Sequence, residues 1–383
     1  MKTTYDVLVI GGGVNGCSIA YQLAKKKCSV AVLEKTRVGA EASRAAAGML
    51  GAQVEIKKQG PFFDFARASR QLFFELVPEL EEDSGISVSF VKNGMLKIAQ
   101  TEEEAGHLYD VLSFQQQAGE QADWLEQKNV YEKEPAIQGD VKGALSIPLD
   151  GQVKAYELTK AFARAASLNG ADIYEYTQAL QLLIQNNTAV GVQTSAGNLY
   201  ADHIVLAGGV WSNVLPGAEA HIPAMVPVKG EALAVMPEKP VITNTIHAAD
   251  FYIVPKADGS CIIGATEQEG TMDKKVQAHA VQTLLEKAVS LVPDLQRAEW
   301  RGAWSGIRPQ TKDGLPCLGE TSLEGLWAAA GHYRNGILLS AITGKWMADL
   351  LNRTNTKEGW EEAFSPLRFS TSNRKENVVE THY

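Results

Sequence analysis

Residues 5–34 read YDVLVIGGGVNGCSIAYQLAKKKCSVAVLE. Residues 5–10 are a short apolar run without alternation, which is typical of a strand buried on both faces of a parallel sheet. The apolar spacing over residues 14–27 predicts a helix whose buried face is formed by Ile19, Ala20, Leu23 and Ala24. Residues 29–33 predict a second buried strand, which ends at Glu34. The segment therefore predicts a complete strand–helix–strand unit.

The turn between the first strand and the helix has the pattern Gly-x-Gly-x-x-Gly, with glycines at positions 11, 13 and 16. Gly11 permits a tight turn, Gly13 lets a pyrophosphate approach the backbone, and Gly16 lets the helix pack closely on the strand. The N–H groups and the dipole at the helix start favour an anion. Glu34 follows eighteen residues after Gly16, where a carboxylate can bind ribose hydroxyls. The pattern therefore predicts a Rossmann-type dinucleotide site.

Two segments rich in glycine and alanine favour FAD over a nicotinamide dinucleotide. Residues 45–51 (AAAGMLG) have such small side chains that their backbone can lie against a flat ring system. An alanine-rich helix is the alternative there, and Gly48 and Gly51 disfavour it. Residues 328–337 (AAAGHYRNGI) predict a buried strand, a glycine turn and a helix whose N-terminus would face the negative charge of a reduced flavin. A nicotinamide enzyme does not need this second, distant segment.

The rest of the chain predicts two interleaved domains. Residues 227–265 are expected to form antiparallel strands, because apolar residues alternate there and turn residues intervene. The predicted fold class is α/β (α+β overall), with a discontinuous Rossmann-type FAD-binding domain and an interleaved, mainly antiparallel β-sheet domain that binds substrate. We assign residues 1–85, 145–220 and 302–365 to the first domain, residues 86–144 and 221–301 to the second, and residues 366–383 to a C-terminal tail, which is expected to fray from about Ser370.

Composition and charge narrow the class of protein further. The formal net charge is −9, and an acidic chain repels nucleic-acid phosphates and anionic membranes. The seven histidines show no metal-site spacing, and the four cysteines form no Cys-x-x-Cys pair, which fits a reducing compartment. No stretch reaches the roughly 20 apolar residues of a membrane span, and the N-terminus lacks the apolar core of a signal peptide. We therefore expect a cytoplasmic protein without metal, nucleic-acid or membrane partners.

Six short motifs make the chain resemble a known family. They are AAAGMLGA (45–52), PVKGE (227–231), YIVP (252–255), GAT (264–266), GIRPQTKDG (306–314) and GHYRNGIL (331–338). Over about residues 3–365 the chain resembles the glycine oxidases, bacterial thiamin-pathway enzymes of the D-amino-acid oxidase and sarcosine oxidase superfamily. The resemblance implies FAD-dependent oxidative deamination of glycine, and of small amines such as sarcosine and D-alanine, with oxygen as acceptor and hydrogen peroxide and ammonia as products. It also implies a homotetramer and a product used in the synthesis of the thiamin thiazole.

The resemblance also implies which residues form the site. Besides the glycines of the first turn, the expected FAD contacts are Val14, Asn15, Glu34, Lys35, Ala42, Ser43, Ala47, Gly48, Met49, Ala179, His332, Tyr333, Arg334, Asn335, Gly336, Ile337 and Leu338. The expected substrate contacts are Gly51, Tyr252, Glu267, Arg308 and Arg334, of which Tyr252, Arg308 and Arg334 are the candidate catalytic residues. Sarcosine oxidases attach their flavin through a cysteine just upstream of a Thr-x-Asp segment. In this chain the comparable position is close to Gly306. The nearest cysteine, Cys317, lies downstream of Asp313 and therefore not at that position. Noncovalent FAD is therefore expected.

The chemistry constrains the roles of these residues. Oxidation of an amino acid moves a hydride from Cα to flavin N5, and a neutral amine can drive this step without a protein base. Arg308 precedes a proline at a predicted strand end, and its planar guanidinium matches a carboxylate, although a surface arginine is the alternative. Tyr252 could donate to the same carboxylate or be a core tyrosine. Arg334 could bind substrate, gate the site or brace its loop.

Three further residues have two interpretations each. Lys229 could assist oxygen reduction as a cation near the flavin, or form a structural ion pair. His332 could transfer protons, or cap the following helix. Glu267 could face the substrate amine, or lie in solvent at a strand end.

Other functions remain open from the sequence alone. The nearest alternatives are oxidases of sarcosine, proline or a D-amino acid in the same superfamily. A flavin-binding tRNA-modification or assembly factor is a second alternative, which the acidic charge disfavours. A non-enzymatic scaffold would not need both Arg308 and Tyr252.

Overall fold

A computed structural model describes residues 2–56, 58–354 and 359–370 of the chain. The predicted fraying of the tail beyond residue 370 lies outside the described residues. The strands, in chain order, are β1 (Thr4–Ile10), β2 (Val30–Leu33), β3 (Met49–Leu50), β4 (Met95–Ala99), β5 (Asp123–Glu126), β6 (Gly143–Ile147), β7 (Gly151–Gln152), β8 (Asp172–Tyr174), β9 (Ala179–Gln185), β10 (Thr188–Thr194), β11 (Gly197–Leu206), β12 (Val226–Met236), β13 (Thr245–His247), β14 (Tyr252–Pro255), β15 (Cys261–Gly264), β16 (Gln268–Glu269), β17 (Glu299–Gln310), β18 (Cys317–Glu320) and β19 (Leu326–Ala330).

The helices connect these strands. The α-helices are α1 (Val14–Lys25), α2 (Ala42–Ala45), α3 (Pro61–Ser84), α4 (Glu102–Gln117), α5 (Gln127–Lys133), α6 (Ala155–Leu168), α7 (Ala278–Leu291), α8 (Gly336–Leu351) and α9 (Trp360–Phe364). Short 3₁₀ helices cover Gly209–Val214, Pro293–Arg297, Tyr333–Asn335 and Pro366–Phe369. No α-helix in the described part of the chain is long and apolar enough to cross a membrane.

The first sheet contains the predicted strand–helix–strand unit. Its strand order is β18-β19-β11-β1-β2-β8, with β10 and β9 attached beside β11. Strand β1 pairs in parallel with both β2 and β11, and β11 pairs in parallel with β19. Helices α1, α3, α6 and α8 pack against one another and share one apolar core with this sheet. Strands from the beginning and the end of the chain therefore complete one nucleotide-binding layer.

The second sheet is mainly antiparallel. Its order is β16-β12-β15-β14-β13-β4-β6-β5, with β17 paired along β12. Among its pairs in the described residues, only β13 with β4 is parallel. Helix α7 covers one face through Leu284, Ala288 and Leu291. The fold class predicted from the sequence, a discontinuous Rossmann-type layer with an interleaved antiparallel sheet, is confirmed.

The strands give a physical criterion for the domain boundaries. The predicted boundaries between residues 144 and 145 and between residues 301 and 302 fall inside β6 and β17. Both strands pair wholly within the second sheet. We therefore propose a domain division that keeps each of these strands intact in the substrate-side domain.

Candidate active site

A cavity of about 560 Å³ is lined by residues of both sheets. From the first sheet it receives the ends of β1, β2, β11 and β19, and from the second it receives parts of β12, β14 and β17. Its volume falls in the roughly 300–1,000 Å³ range of ligand pockets in proteins. In open sheets of this kind, ligands bind beyond the carboxyl ends of the parallel strands. The cavity is therefore the expected location of a dinucleotide.

The first glycine turn enters this cavity at the start of α1. Gly11 has a φ of +116°, and a Cβ there would lie 2.6 Å from the carbonyl oxygen of Ala207. Gly13 faces the cavity, whereas Gly16 lies behind the turn, where a Cβ would collide with the Gly11 carbonyl. Each glycine thus occupies a position that the predicted motif requires.

Polar groups around this turn fit a dinucleotide. Helix α1 begins without a side-chain cap, and the Val14 N–H donates to Ser43 Oγ at 3.0 Å. Asn15 Oδ1 and Ser212 Oγ belong to residues that line the cavity, and both atoms are buried without a partner among the described residues. Buried polar atoms are nearly always hydrogen-bonded in native proteins, so a hydroxyl-bearing ligand is expected to satisfy them.

Glu34 is fixed at the end of β2. One carboxylate oxygen accepts the Gly12 N–H at 2.9 Å, and the other accepts the Thr36 N–H at 2.8 Å. The side chain lines the cavity, as does Lys35, whose ammonium lies 3.7 Å from the centre of the Trp211 ring. The predicted ribose carboxylate therefore stands, pre-oriented by backbone donors, beside the glycine turn.

The segment from Ala45 to Met49 forms one wall of the cavity. Gly48 has a φ of +89°, and a Cβ there would clash with the Val153 carbonyl. The buried Lys256 ammonium donates to the Ala47 carbonyl, to Gln152 Oε1 at 2.6 Å and to the Val153 carbonyl at 3.2 Å. Burial lowers the pKa of Lys256 to about 7. The hydrogen bonds of the Lys256 amine thus fix the backbone of this wall.

The turn before α8 closes the cavity from the C-terminal part of the chain. His332 is buried, and its Nε2 lies 3.1 Å from Thr343 Oγ1 in α8. It makes no side-chain cap to the short helix that follows, so the predicted capping role is replaced by a brace against α8. Burial lowers the pKa of His332 to about 3, which keeps the imidazole neutral near pH 7.

Arg308 and Tyr252 lie on the second sheet at the same cavity. Arg308 is opposite Val228 inside β17, which continues to Gln310, so the predicted strand end at this arginine is wrong. Its Nη1 donates to the Thr266 carbonyl at 3.3 Å, and no carboxylate of the described residues lies within 4.0 Å of it. Burial raises the pKa of Tyr252, which keeps its hydroxyl protonated.

Arg334 has a different environment. Its Nε lies 3.4 Å from Glu55 Oε2, and its Nη1 lies 3.7 Å from Glu267 Oε2. Although burial opposes ionisation of Glu55, Arg334 and His247 hold the pKa of that carboxyl well below its usual range. Glu267 also accepts a hydrogen bond from the Tyr333 hydroxyl. Arg334 is therefore neutralised by carboxylates, whereas Arg308 is not.

The cavity brings together most residues implied by the sequence. Those that line it are Gly11, Gly13, Val14, Asn15, Glu34, Lys35, Ala42, Ser43, Ala47, Gly48, Met49, Ala179, Tyr252, Arg308, His332, Tyr333, Arg334, Gly336 and Ile337. Those that do not line it are Gly16, Gly51, Glu267, Asn335 and Leu338. Glu267 instead supports two lining residues, Tyr333 and Arg334, and its side chain is 52% exposed.

Lys229 is buried away from the cavity lining. Its ammonium donates to the Lys275 carbonyl at 2.6 Å and lies 3.3 Å from Glu231 Oε1. The structure thus favours a structural ion pair over a role beside the flavin.

Within residues 2–56, 58–354 and 359–370, no group of three or more His, Cys, Asp or Glu side chains could hold a metal ion.

Sequence reasoning missed several lining residues. Glu55 follows the AAAGMLG segment and pairs with Arg334, but nothing local in the sequence marks it. Trp211 lies in the 3₁₀ helix Gly209–Val214, which directly follows the Ala207–Gly208–Gly209 turn after β11, and that turn also lines the cavity. That second strand-to-glycine turn, at the same sheet edge as Gly11, was the signal that could have identified the region.

Comparisons with known proteins agree with this architecture. Residues 6–350 match the family described as FAD dependent oxidoreductase (DAO). The chain is 44% identical over 359 residues to a protein named glycine oxidase from Geobacillus kaustophilus (strain HTA426), covering 93% of this chain and 95% of that protein. It is 37% identical over 366 residues to a protein of the same name from Bacillus subtilis (strain 168), covering 95% of this chain and 97% of that protein.

A solved structure gives the same result in three dimensions. The chain is similar to the crystal structure of glycine oxidase from Geobacillus kaustophilus with a TM-score of 0.93 and 43% sequence identity. The match covers 96% of this chain and 100% of that chain. The similarity therefore includes both sheets and the cavity between them.

Proposed function

Because this chain belongs to the family of FAD-dependent oxidoreductases, we propose that it oxidises glycine, with oxygen as the electron acceptor. Glycine, oxygen and water would give glyoxylate, ammonia and hydrogen peroxide. The observation that carries the choice of an amino-acid substrate is the unneutralised Arg308 guanidinium beside Tyr252 in the cofactor cavity. A small zwitterion supplies the missing carboxylate without adding net charge.

The residues present fit FAD. The glycine turn and the start of α1 would hold the pyrophosphate, and Glu34 would hold the adenosine ribose. The Ala45–Met49 wall and the turn before α8 would flank the ring system, and the partnerless Asn15 Oδ1 would receive a ligand hydroxyl. When bound, FAD would supply the redox chemistry, as the acceptor of two electrons from the substrate and their donor to oxygen.

The protein's own contribution is orientation. Arg308 would bind the substrate carboxylate in bidentate fashion, and the protonated Tyr252 hydroxyl would donate a further hydrogen bond. These contacts would fix the substrate Cα relative to the cofactor. The two reacting groups would then be held in one preorganised geometry and would not have to meet by diffusion. Of the two arginines, only Arg308 has a free charge to offer, because Glu55 and Glu267 already face Arg334.

We therefore assign Glu267 an indirect role, in which it does not contact the substrate. Its contacts to Tyr333 and Arg334 support the outer wall of the cavity rather than the reacting amine. We propose Gly51 likewise as support for the neighbouring loop, where its missing side chain leaves room for Val54. These assignments replace direct substrate contact for both residues.

We also propose a cytosolic homotetramer whose product enters thiazole synthesis for thiamin, as the family resemblance implies. All four cysteines are free, and Cys17, Cys261 and Cys317 are buried, which is compatible with a reducing compartment. Light scattering of the purified protein tests the oligomeric state, and growth of a deletion strain with and without thiamin tests the pathway.

One experiment tests the reaction and the anchor together. Peroxide release would be measured for glycine, sarcosine, D-alanine, L-proline and D-phenylalanine, with the unsubstituted protein and with Arg308→Ala. Glycine and sarcosine should react best. Arg308→Ala should raise the KM for glycine by about thirty-fold or more at unchanged FAD content, since truncating one partner of a buried charge pair costs roughly 2–5 kcal/mol.

Two results would count against the proposal in different ways. D-Phenylalanine as the best substrate would exclude glycine as the preferred substrate while leaving the flavoenzyme fold intact. An unchanged KM for glycine in Arg308→Ala would remove the carboxylate anchor while leaving the reaction itself in place.

A further inference from the structure

Gly230 lies in β12 directly opposite Gly306 of β17, and both residues line the cavity. Arg308 follows two residues after Gly306 and therefore projects from the same face of the sheet. Its guanidinium crosses over Gly230: a Cβ built there would lie 2.6 Å from Cζ and 2.8 Å from Nη1 of Arg308. Both distances are shorter than the 3.0 Å that real Cβ contacts respect. The guanidinium thus lies directly on the backbone of β12.

The backbone of β12 gives no other reason for a glycine at this position. Gly230 does not have the left-handed φ that the protein uses at Gly11 or Gly48. The register of β12 with β17 is continuous through Gly230, and its irregularity falls between Ala234 and Val235. The strand conformation is therefore compatible with an alanine, and the three atoms nearest to its Cβ would all belong to the Arg308 guanidinium.

Tyr252 shows the same relation to a second glycine. It pairs with Gly264 across β14 and β15, and a Cβ on Gly264 would lie 2.7 Å from Cζ of the tyrosine ring. Both side chains that flank the proposed carboxylate position thus lie on bare glycine backbone. This arrangement fixes the height of each polar group above the sheet.

We propose that Gly230 is a positioning residue that sets where the Arg308 guanidinium meets the substrate carboxylate. The proposal rests on the proposed function, because it requires Arg308 to bind a carboxylate. A methyl group at position 230 would lift the guanidinium off the sheet and move the carboxylate of the substrate with it. Since the obstructed atoms are the far end of a flexible side chain, the fold itself would accommodate the methyl group.

The test is Gly230→Ala in the FAD-loaded enzyme. The KM for glycine should rise on the order of ten- to a hundred-fold, the range expected when a bound group is misplaced by about 1 Å. The Kd for acetate, a carboxylate without an amine, should rise by a similar factor when followed through the flavin absorbance. FAD content and Tm should stay unchanged. Gly106→Ala is the matched control, because a Cβ on this α4 glycine meets nothing within 4 Å.

A double-mutant cycle separates positioning from general damage. In an Arg308→Ala background the Gly230→Ala change should add nothing to the KM or to the acetate Kd, because the group that it displaces is gone. An unchanged KM in the single variant would overturn the proposal. An equal effect of Gly230→Ala in both backgrounds would also overturn it, and so would a lower Tm or a lower FAD content. Each of these results would mean that Gly230 has a packing role. If Arg308→Ala alone has no effect on glycine, the carboxylate anchor of the proposed function has failed instead.

Discussion

Arg308 and Arg334 enter the same cavity with opposite electrostatic surroundings. The charge of Arg334 is matched by Glu55, whose side chain is 9% exposed, and by Glu267. Removing Arg334 would leave the largely buried Glu55 carboxylate without this guanidinium partner. Arg334 is therefore a brace whose loss would damage the site, whereas the charge of Arg308 remains available to a ligand. Two arginines of equal chemistry are thus divided between structure and recognition by the position of two glutamates.

His332 makes stability depend on pH. Its ordinary pKa of 6.5 falls to about 3 on burial, so the unfolded chain binds more protons between these values. The free energy of unfolding should therefore fall as the pH is lowered from 6.5 toward 3, and between pH 7 and pH 5 this group alone accounts for about 2 kcal/mol. His332→Gln should make this decline smaller by that amount. Urea unfolding of the FAD-saturated protein at pH 7 and pH 5 measures it.

A histidine elsewhere provides the comparison for this measurement. His279 is exposed on α7, and His279→Gln should leave the pH dependence of unfolding as it is in the unsubstituted protein. Equal slopes for His332→Gln and the unsubstituted protein would mean that His332 does not carry the effect.

Among the secondary-structure elements, the turn between β14 and β15 fastens the wall of the cavity. Lys256 projects from this turn and joins the Ala47 and Val153 carbonyls, although the two segments are more than a hundred residues apart in sequence. Lys256→Met should leave buried carbonyls without this donor, at about 1–3 kcal/mol for each unsatisfied group. FAD affinity should fall about tenfold or more, because the wall can then shift. Fluorescence titration of the apoprotein with FAD measures the affinity.

The control for this prediction is an exposed lysine. Lys287 pairs with Asp250 on the surface, where ion pairs contribute little, so Lys287→Met should keep the FAD affinity. An FAD affinity for Lys256→Met equal to that of the control would contradict the fastening role.

The elements differ in how far their sequence predicts them. Strand β1, helix α1 and helix α8 were predicted because each buries a continuous apolar face or run in a local pattern. Strand β17 was not predicted as a twelve-residue strand, because only Ile307 is buried along it and no alternation results. Helix α7 was missed although its buried residues Leu284, Ala288 and Leu291 have a helical spacing. For β17, the long-range pairing with β12 determines the structure, and a local pattern does not record it.

The residues of the site also differ in how far the sequence predicts them. The glycine turn and Glu34 could be predicted because the binding of a pyrophosphate and a ribose requires those residue types at a fixed spacing. The placement of Arg308 and Tyr252 at the cavity came from the family resemblance. Glu55 and Lys256 could not be predicted, because their partners, Arg334 and Ala47, lie about 280 and 210 residues away in the chain. Such pairs exist only after both sheets have assembled.

For the chain as a whole, the cofactor would contact both sheets at once. A ligand that binds only the native state stabilises it by about 4 kcal/mol at a thousand times its Kd. Removal of FAD should therefore lower the Tm by roughly 5 °C for a chain of this length. The flavin should be released by acid precipitation, since Cys317 is buried in β18 and no cysteine stands near Gly306. Differential scanning calorimetry and the absorbance of the acid supernatant measure the two effects.

Readdition of FAD to the apoprotein is the control, and it should restore the original Tm. Flavin that remains with the acid precipitate would show a covalent link and would contradict the expectation of noncovalent binding. A Tm that is independent of FAD would mean that the cofactor does not join the two sheets.

The order of strands in the first sheet also bears on how the protein is made. Strand β1 leaves the ribosome well before α8, yet α1 packs on α8, which ends at Leu351. At roughly 5–20 residues per second, synthesis completes that helix about 17–70 s after β1. Throughout this interval the apolar surface of α1 lacks its final cover, and non-local pairing of this kind is slow to form. We therefore expect the nascent chain to depend on chaperones, and FAD to bind only after α8 has been synthesised.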